Sequence, residues 1–166
     1  MTAMMRLSLL RHAQADDPVS NQQDWDRPLT RRGLLDAKEM ARRMKVAKQK
    51  PHLILSSPAV RARQTAETFA KCFAGANLQF VEGLYLADPK QLLVCIREQG
   101  DAAMHLLVVA HNPGITELAN QLSRDRTIDA MPTCAIVTGE FAVSAWQELV
   151  LGAGLNVELD YPQRPA

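Results

Sequence analysis

The stretch LLVVAHNPG, residues 106–114, decides the fold. Its first five residues are apolar without interruption, the pattern of a strand buried on both faces. The run stops at His111, and Asn112-Pro113-Gly114 turns the chain into a helix expected over residues 115–122. His111 therefore stands just beyond the carboxyl end of a central strand.

Other segments repeat this arrangement. MMRLSLL, residues 4–10, reads as a buried strand running straight into Arg11 and His12. Leu53-Ile54-Leu55 is a short strand broken by Ser56-Ser57-Pro58, and Pro58 suits a helix start. Residues 78–81 and 135–141 are further strands. Between them lie helical patterns. Thr30 is an N-cap, behind which Leu34, Ala37, Ala41 and Met44 line one face. Arg31, Arg32, Arg42, Arg43 and Lys45 fall mostly on the solvated faces of the same helix. A second helix runs through Ala62, Thr65, Ala66, Phe69 and Ala70, and a third starts at Asp88-Pro89, carries Leu92, Leu93 and Ile96, and stops at Gly100. Residues 13–28 form a long polar loop, of the kind that is functional or mobile. Residues 144–159 fit a last strand or a helical turn, and the tail from Tyr161 is loose or draped on the surface. Strand and helix alternate throughout, which implies an α/β protein: a three-layer α/β/α sandwich around a mostly parallel central sheet.

The 166 residues suit one domain, spanning 1–166, with a substantial core. Nineteen Lys and Arg against eighteen Asp and Glu leave a formal charge of +1, without the basic excess of a nucleic-acid binder. Cys72, Cys95 and Cys134 are odd in number and far apart, which suits reduced thiols in the core. Arg6 interrupts the apolar N-terminus, and no apolar run approaches the roughly 20 residues of a membrane helix. The expectation is a cytoplasmic protein with neither nucleic acid nor membrane as partner.

Ligands of open α/β sheets bind beyond the carboxyl ends of the strands. Arg11 and His12 follow the first strand, Ser57, Arg61 and Arg63 the second, and His111 the fourth. His52 and His105 precede strands and belong on the opposite edge as boundary residues. Imidazoles flanked by guanidinium groups make a poor cation site, so no metal is expected. They suit a phosphate or sulfate ion, whose oxygens match the arginine fork and whose charge favours a helix N-terminus. Arg63, two residues from Arg61, points elsewhere on a helix. Gln14 and Asn112 flank the pocket, and substrate contact and a turn-forming role are both open to them.

Four blocks in order carry a resemblance. They are Leu10-Arg11-His12-Ala13; Asp26-Arg27-Pro28-Leu29-Thr30 with Gly33; Ser57-Pro58 with Arg61, Ala62, Gln64 and Thr65; and Ala110-His111-Asn112-Pro113-Gly114. Together they resemble the histidine phosphatase superfamily, and within it the small SixA-type phosphohistidine phosphatases, with Ala13 where the Arg-His-Gly signature has glycine. The resemblance implies a phosphoglycerate mutase-like fold, no cofactor, and a nucleophilic His12 that becomes phosphorylated. It implies that Arg11, Arg61 and His111 bind the phosphoryl oxygens. The partner it implies is a phosphohistidine-bearing phosphoprotein or a small phosphorylated substrate.

The sequence departs from the superfamily at the general acid, usually a carboxylic acid after the third strand. Here Leu84 or Tyr85 falls near that position, with Glu82 the nearby candidate and Asp88 further on. Asp16, Asp17 and Asp24 of the long loop are also within reach. A leaving imidazole needs such an acid less than an alkoxide does, so the gap favours phosphohistidine. A broad phosphomonoesterase and a phosphoprotein-binding module with little turnover are the alternatives.

Overall fold

The structure is a computed structural model, and it describes residues 4–99 and 103–165. Its elements in chain order are β1 (Met5–Arg11), α1 (Arg31–Val46), β2 (Leu53–Ser56), α2 (Val60–Cys72), β3 (Asn77–Phe80), α3 (Pro89–Gln99), β4 (His105–Ala110), α4 (Gly114–Leu122), β5 (Ile136–Phe141) and β6 (Leu155–Asp160). The strands form one six-stranded sheet in the order β3-β2-β4-β1-β5-β6. β3, β2, β4 and β1 pair in parallel, whereas β5 runs antiparallel to β1 and β6 antiparallel to β5. The mostly parallel sandwich expected from the sequence is thus extended by an antiparallel flank.

β4 sits at the centre and shows why. All six of its residues are buried. Side chains alternate across a strand, so Leu107 and Val109 pack with Ala37, Met40, Ala41 and Met44 of α1 and with Ala62, Ala66 and Phe69 of α2. Leu106, Val108 and Ala110 point the other way, into a cluster with Leu92 and Ile96 of α3 and Ile115 and Leu118 of α4. Helices cover both faces of the sheet, each bringing one apolar stripe.

Thr30 caps α1 as expected, its Oγ1 accepting from the Gly33 amide at 2.9 Å. The buried face of α1 carries Ala37, Ala41 and Met44 as expected, but Leu34 is 38% exposed and Gly33, Asp36 and Met40 complete the face instead. Gly33 is held there by close approach, since a Cβ would collide with the Gln14 carbonyl oxygen. Buried Asp36 is compensated by Arg32, 3.0 Å away one turn earlier. Arg43, on a face expected to be solvated, instead bonds Asp160 and the carbonyls of Tyr161 and Pro162, which drapes the tail over the surface. Residues 144–159 contain both alternatives, a 3-10 turn at Trp146–Glu148 and then β6. The stop expected at Gly100 lies outside the described residues. Among the described residues, no helix is long and apolar enough to cross a membrane.

Candidate active site

Three parallel strands end side by side, and the chain immediately beyond them builds the pocket. His12 follows β1, where its amide donates to the Ala110 carbonyl at 3.1 Å and its carbonyl accepts from the Cys134 amide at 3.1 Å. Ser57 follows β2 and is stitched to β4 by its amide, 3.0 Å from the Val109 carbonyl oxygen. His111 follows β4 itself. Arg61 comes from the first turn of α2, and one turn later Thr65 Oγ1 donates to the Arg61 carbonyl and accepts from the Ala13 amide. That double bond of Thr65 sets α2 against the residue after His12.

The structure brings together all four residues singled out from the strand ends. Arg11, His12, Arg61 and His111 line one cavity of about 350 Å³, together with Gln14, Ala15, Asp24, Arg27, Leu86, Asn112 and Thr133. The two imidazole rings lie 5.1 Å apart between centroids. His12 is 8% exposed and His111 and Arg61 are 2% exposed. The control histidines sit on the opposite edge. There His105 bonds Ser8 Oγ at 2.8 Å, and the His52 ring accepts from the His105 amide. Arg63 points away from the cavity, its guanidinium over the Phe80 ring at 4.6 Å.

Hydrogen bonding fixes the reactive face of His12. Its Nδ1 lies 2.8 Å from the Ala13 carbonyl oxygen. A carbonyl only accepts, so Nδ1 carries the proton and the neutral ring presents its lone pair at Nε2. Burial, opposed by that bond and reinforced by the charges of Arg61, Arg11 and Arg27, lowers the His12 pKa to about 4. Burial likewise lowers His111 to about 3, with His12 and Arg61 adding to the effect. Both rings are therefore neutral near pH 7. The imidazole signals of His12 should stay those of a neutral ring as pH falls past 6.5 and change only near pH 4, where the proton at last binds. An NMR titration of the histidine side chains checks this, and a midpoint near 6.5 for His12 would contradict the buried, cation-flanked setting.

The other polar contacts separate what is free from what is engaged. His111 Nε2 is 2.7 Å from Ser57 Oγ. Among the described residues, the buried side-chain nitrogen and oxygen atoms without a partner are Arg11 Nε, Arg61 Nε and His111 Nδ1, all on residues that line the cavity. Unpartnered buried polar atoms are costly, and three of them around one hollow mark a place for a hydrogen-bonding anion. Asn112 is more occupied, its Nδ2 donating to the Met131 carbonyl and its Oδ1 accepting from Thr116. Arg11 Nη1 donates to that same Met131 carbonyl at 3.0 Å. Gln14 lines the cavity while its Oε1 accepts from Thr30 Oγ1.

The acid candidates are sorted clearly. Glu82 is exposed in the 3-10 turn Glu82–Leu84 and is not in the cavity wall, to which this stretch contributes Leu86 instead. Tyr85 packs edge-on against His111 at 5.5 Å. Asp88 is spent capping α3 through the Gln91 amide. Asp16 and Asp17 are exposed outside the wall. Asp24 is the carboxylate delivered to the pocket. Its Oδ2 accepts from Arg61 Nη2 at 2.9 Å and from Tyr85 Oη at 2.6 Å, and its Oδ1 from Arg27. Burial raises its pKa, but the bonds from Tyr85, Arg27 and Arg61 outweigh that and hold it well below the carboxylate range. Spacing does not mark Arg27 as a pocket residue, and only the block Asp26-Arg27-Pro28 points to it, whereas Tyr85 falls near the expected acid position and serves as a hydrogen-bond donor to Asp24.

Fold and pocket together define an α/β phosphatase. The chain belongs to the histidine phosphatase superfamily: the profile of its branch 1 matches residues 7–85. An uncharacterized protein of Picosynechococcus is 34% identical over 125 residues, which cover 74% of this chain and 76% of that one. An uncharacterized protein of Mycobacterium tuberculosis is 34% identical over 163 residues, covering 93% and 100%. Among solved structures, the SixA protein of Agrobacterium tumefaciens, to which phosphohistidine phosphatase activity is attributed, matches with a TM-score of 0.73 and 25% identity over 84% of this chain and 95% of that one. The protein histidine phosphatase SixA complexed with tungstate shares the fold, with a TM-score of 0.77 and 24% identity over 95% and 97% of the two chains.

Proposed function

We propose that this chain hydrolyses phosphohistidine displayed on another protein, by way of a phosphohistidine intermediate on its own His12. The observation that carries this reading is the state of Asp24. It is the one carboxylate in the cavity wall among the described residues, and Tyr85, Arg27 and Arg61 keep it ionised. An ionised carboxylate has no proton to give an alkoxide, and that proton is worth on the order of 10²–10⁴ in rate. A leaving imidazole that already carries a proton on its other nitrogen needs none.

The resemblance supplies the roles, and the geometry supports them. His12 Nε2 attacks phosphorus with its lone pair while the N–P bond of the substrate breaks, and that bonding pair stays on the departing ring. Arg11, Arg61 and His111 hold the three phosphoryl oxygens, whose charge they stabilise as the group moves. Water then attacks the phosphorus on His12, phosphate leaves, and the imidazole regains its lone pair. The same guanidinium pocket would take free phosphate or sulfate, as the tungstate complex of the SixA neighbour suggests by analogy.

The test is a comparison of kcat/KM for peptides bearing phosphohistidine, phosphoserine or phosphotyrosine and for sugar phosphates. The phosphohistidine peptide should lead by about 10² or more, the size of the missing proton transfer. Equal or faster turnover of sugar phosphates would overturn the assignment.

A further inference from the structure

The catalytic cavity has a neighbour. A second hollow of about 420 Å³ is lined by Gln23, Asp24, Trp25, Asp26 and Tyr85. Asp24 belongs to the walls of both, so the two spaces adjoin at this residue. Their chemistry is opposite. The first is lined by three arginines, whereas the second contains two carboxylates, two aromatic rings and no cationic side chain.

The aromatic rings are built into place. Trp25 and Tyr85 meet edge to face at 4.7 Å between centroids, and Tyr85 is itself set edge-on against His111. The Tyr85 hydroxyl is anchored on Asp24. Trp25 lies in the 3-10 turn Asp24–Asp26, so the residue that bonds Arg61 and the residue that stacks on Tyr85 are adjacent in the chain. Asp24 shares its charge with Arg61 and Arg27, but Asp26 forms no ion pair among the described residues. The net charge offered to a ligand is therefore that of Asp26, beside two π faces.

We propose that this second hollow is the leaving-group subsite, and that it selects a planar nitrogen cation: the ring stacks on Trp25 and Tyr85 while Asp26 faces its charge. The inference deepens the phosphohistidine reading and rests on it. Phosphorylated imidazolium is anionic at one end and a flat cation at the other, which matches an arginine pocket opening onto an acidic aromatic one. The guanidinium of a phosphoarginine has the same two ends. A carboxylate near the leaving ring favours its protonated form, and that form departs as a neutral imidazole when the N–P bond breaks. Asp26 thus helps expulsion of the leaving group without donating a proton.

The test uses the full chain and three substrates: a phosphohistidine peptide, the matching phosphoarginine peptide, and phenyl phosphate, which is aromatic and carries no cation. Asp26→Asn should lower kcat/KM for the phosphohistidine peptide about tenfold relative to phenyl phosphate, the range of a cation losing its partner. Trp25→Leu should reduce kcat/KM on both aromatic substrates, chiefly through KM. Inhibition by inorganic phosphate reports the arginine pocket and should persist in both variants, which checks that they fold. If phosphoarginine leads in the wild type with the same sensitivity to Asp26→Asn, the cation is a guanidinium and the subsite stands. Equal losses from Asp26→Asn on all three substrates, or none, overturn the subsite. Failure of the phosphohistidine reading appears elsewhere, in a wild-type enzyme that prefers phenyl phosphate to both N-phosphorylated peptides.

Discussion

His12→Ala should abolish turnover, lowering kcat by roughly 10⁴-fold or more, as removal of a covalent nucleophile does. The expectation comes from one hydrogen bond. With Nδ1 committed to the Ala13 carbonyl, Nε2 is the open position of the ring, and burial, reinforced by the neighbouring arginines, keeps it unprotonated at neutral pH. Loss of the ring costs the fold about 1 kcal/mol for that bond, so thermal unfolding should be little changed. His12→Asn separates chemistry from packing, because it retains a polar side chain and has no ring nitrogen to attack with. Brief exposure to radiolabelled substrate should leave an acid-labile label on the wild type and none on either variant. A labelled His12→Ala protein with near-normal turnover would end the assignment.

Arg61→Ala should lower kcat/KM by about 10²–10³, the usual loss when a preorganised donor to a developing anion is removed. Arg61 is 2% exposed, and its fork already grips one anion, with Nη1 on the Asp24 carbonyl and Nη2 on the Asp24 carboxylate. A transferring phosphoryl group asks for the same planar pair of donors, so Arg61→Lys should not restore activity. Inhibition by free phosphate should weaken in parallel. Unchanged phosphate inhibition in Arg61→Ala would mean that the anion sits on Arg11 alone.

Much of this site is legible in the chain, for a simple physical reason. β2 and β4 are buried along their whole length and β1 from Leu7 to Leu10, so they appear as largely apolar runs, and Arg11, His12, Ser57 and His111 appear where those runs stop. β6 has no such mark. It is a half-buried strand on the antiparallel flank, and its alternation is hard to tell from a turn. Leu34 misleads because spacing alone cannot tell that the close approach at Gly33 and the ion-paired Asp36 take the place on the buried face of α1 beside Ala37, Ala41 and Met44. Glu82 misleads because spacing alone cannot tell that the 3-10 turn leaves it exposed while Leu86 joins the cavity wall. Asp24 and Arg27 lie in a loop without periodicity, and their roles come from partners up to 61 residues distant.

That loop is pinched at its base. Ala15 pairs with Leu29, the Asp16 amide reaches the Pro28 carbonyl, and the Thr30 amide reaches the Gln14 carbonyl. The ends are thus fixed independently of whatever residues 17–27 contain, and the strand ends that carry Arg11, His12 and His111 are set by the sheet, whereas Arg61 is gripped by Asp24 from within the segment. The segment is an exchangeable cassette. Sequences of other lengths spliced between Asp16 and Pro28 would change what flanks the pocket while leaving the strand ends that carry His12 and His111 in place.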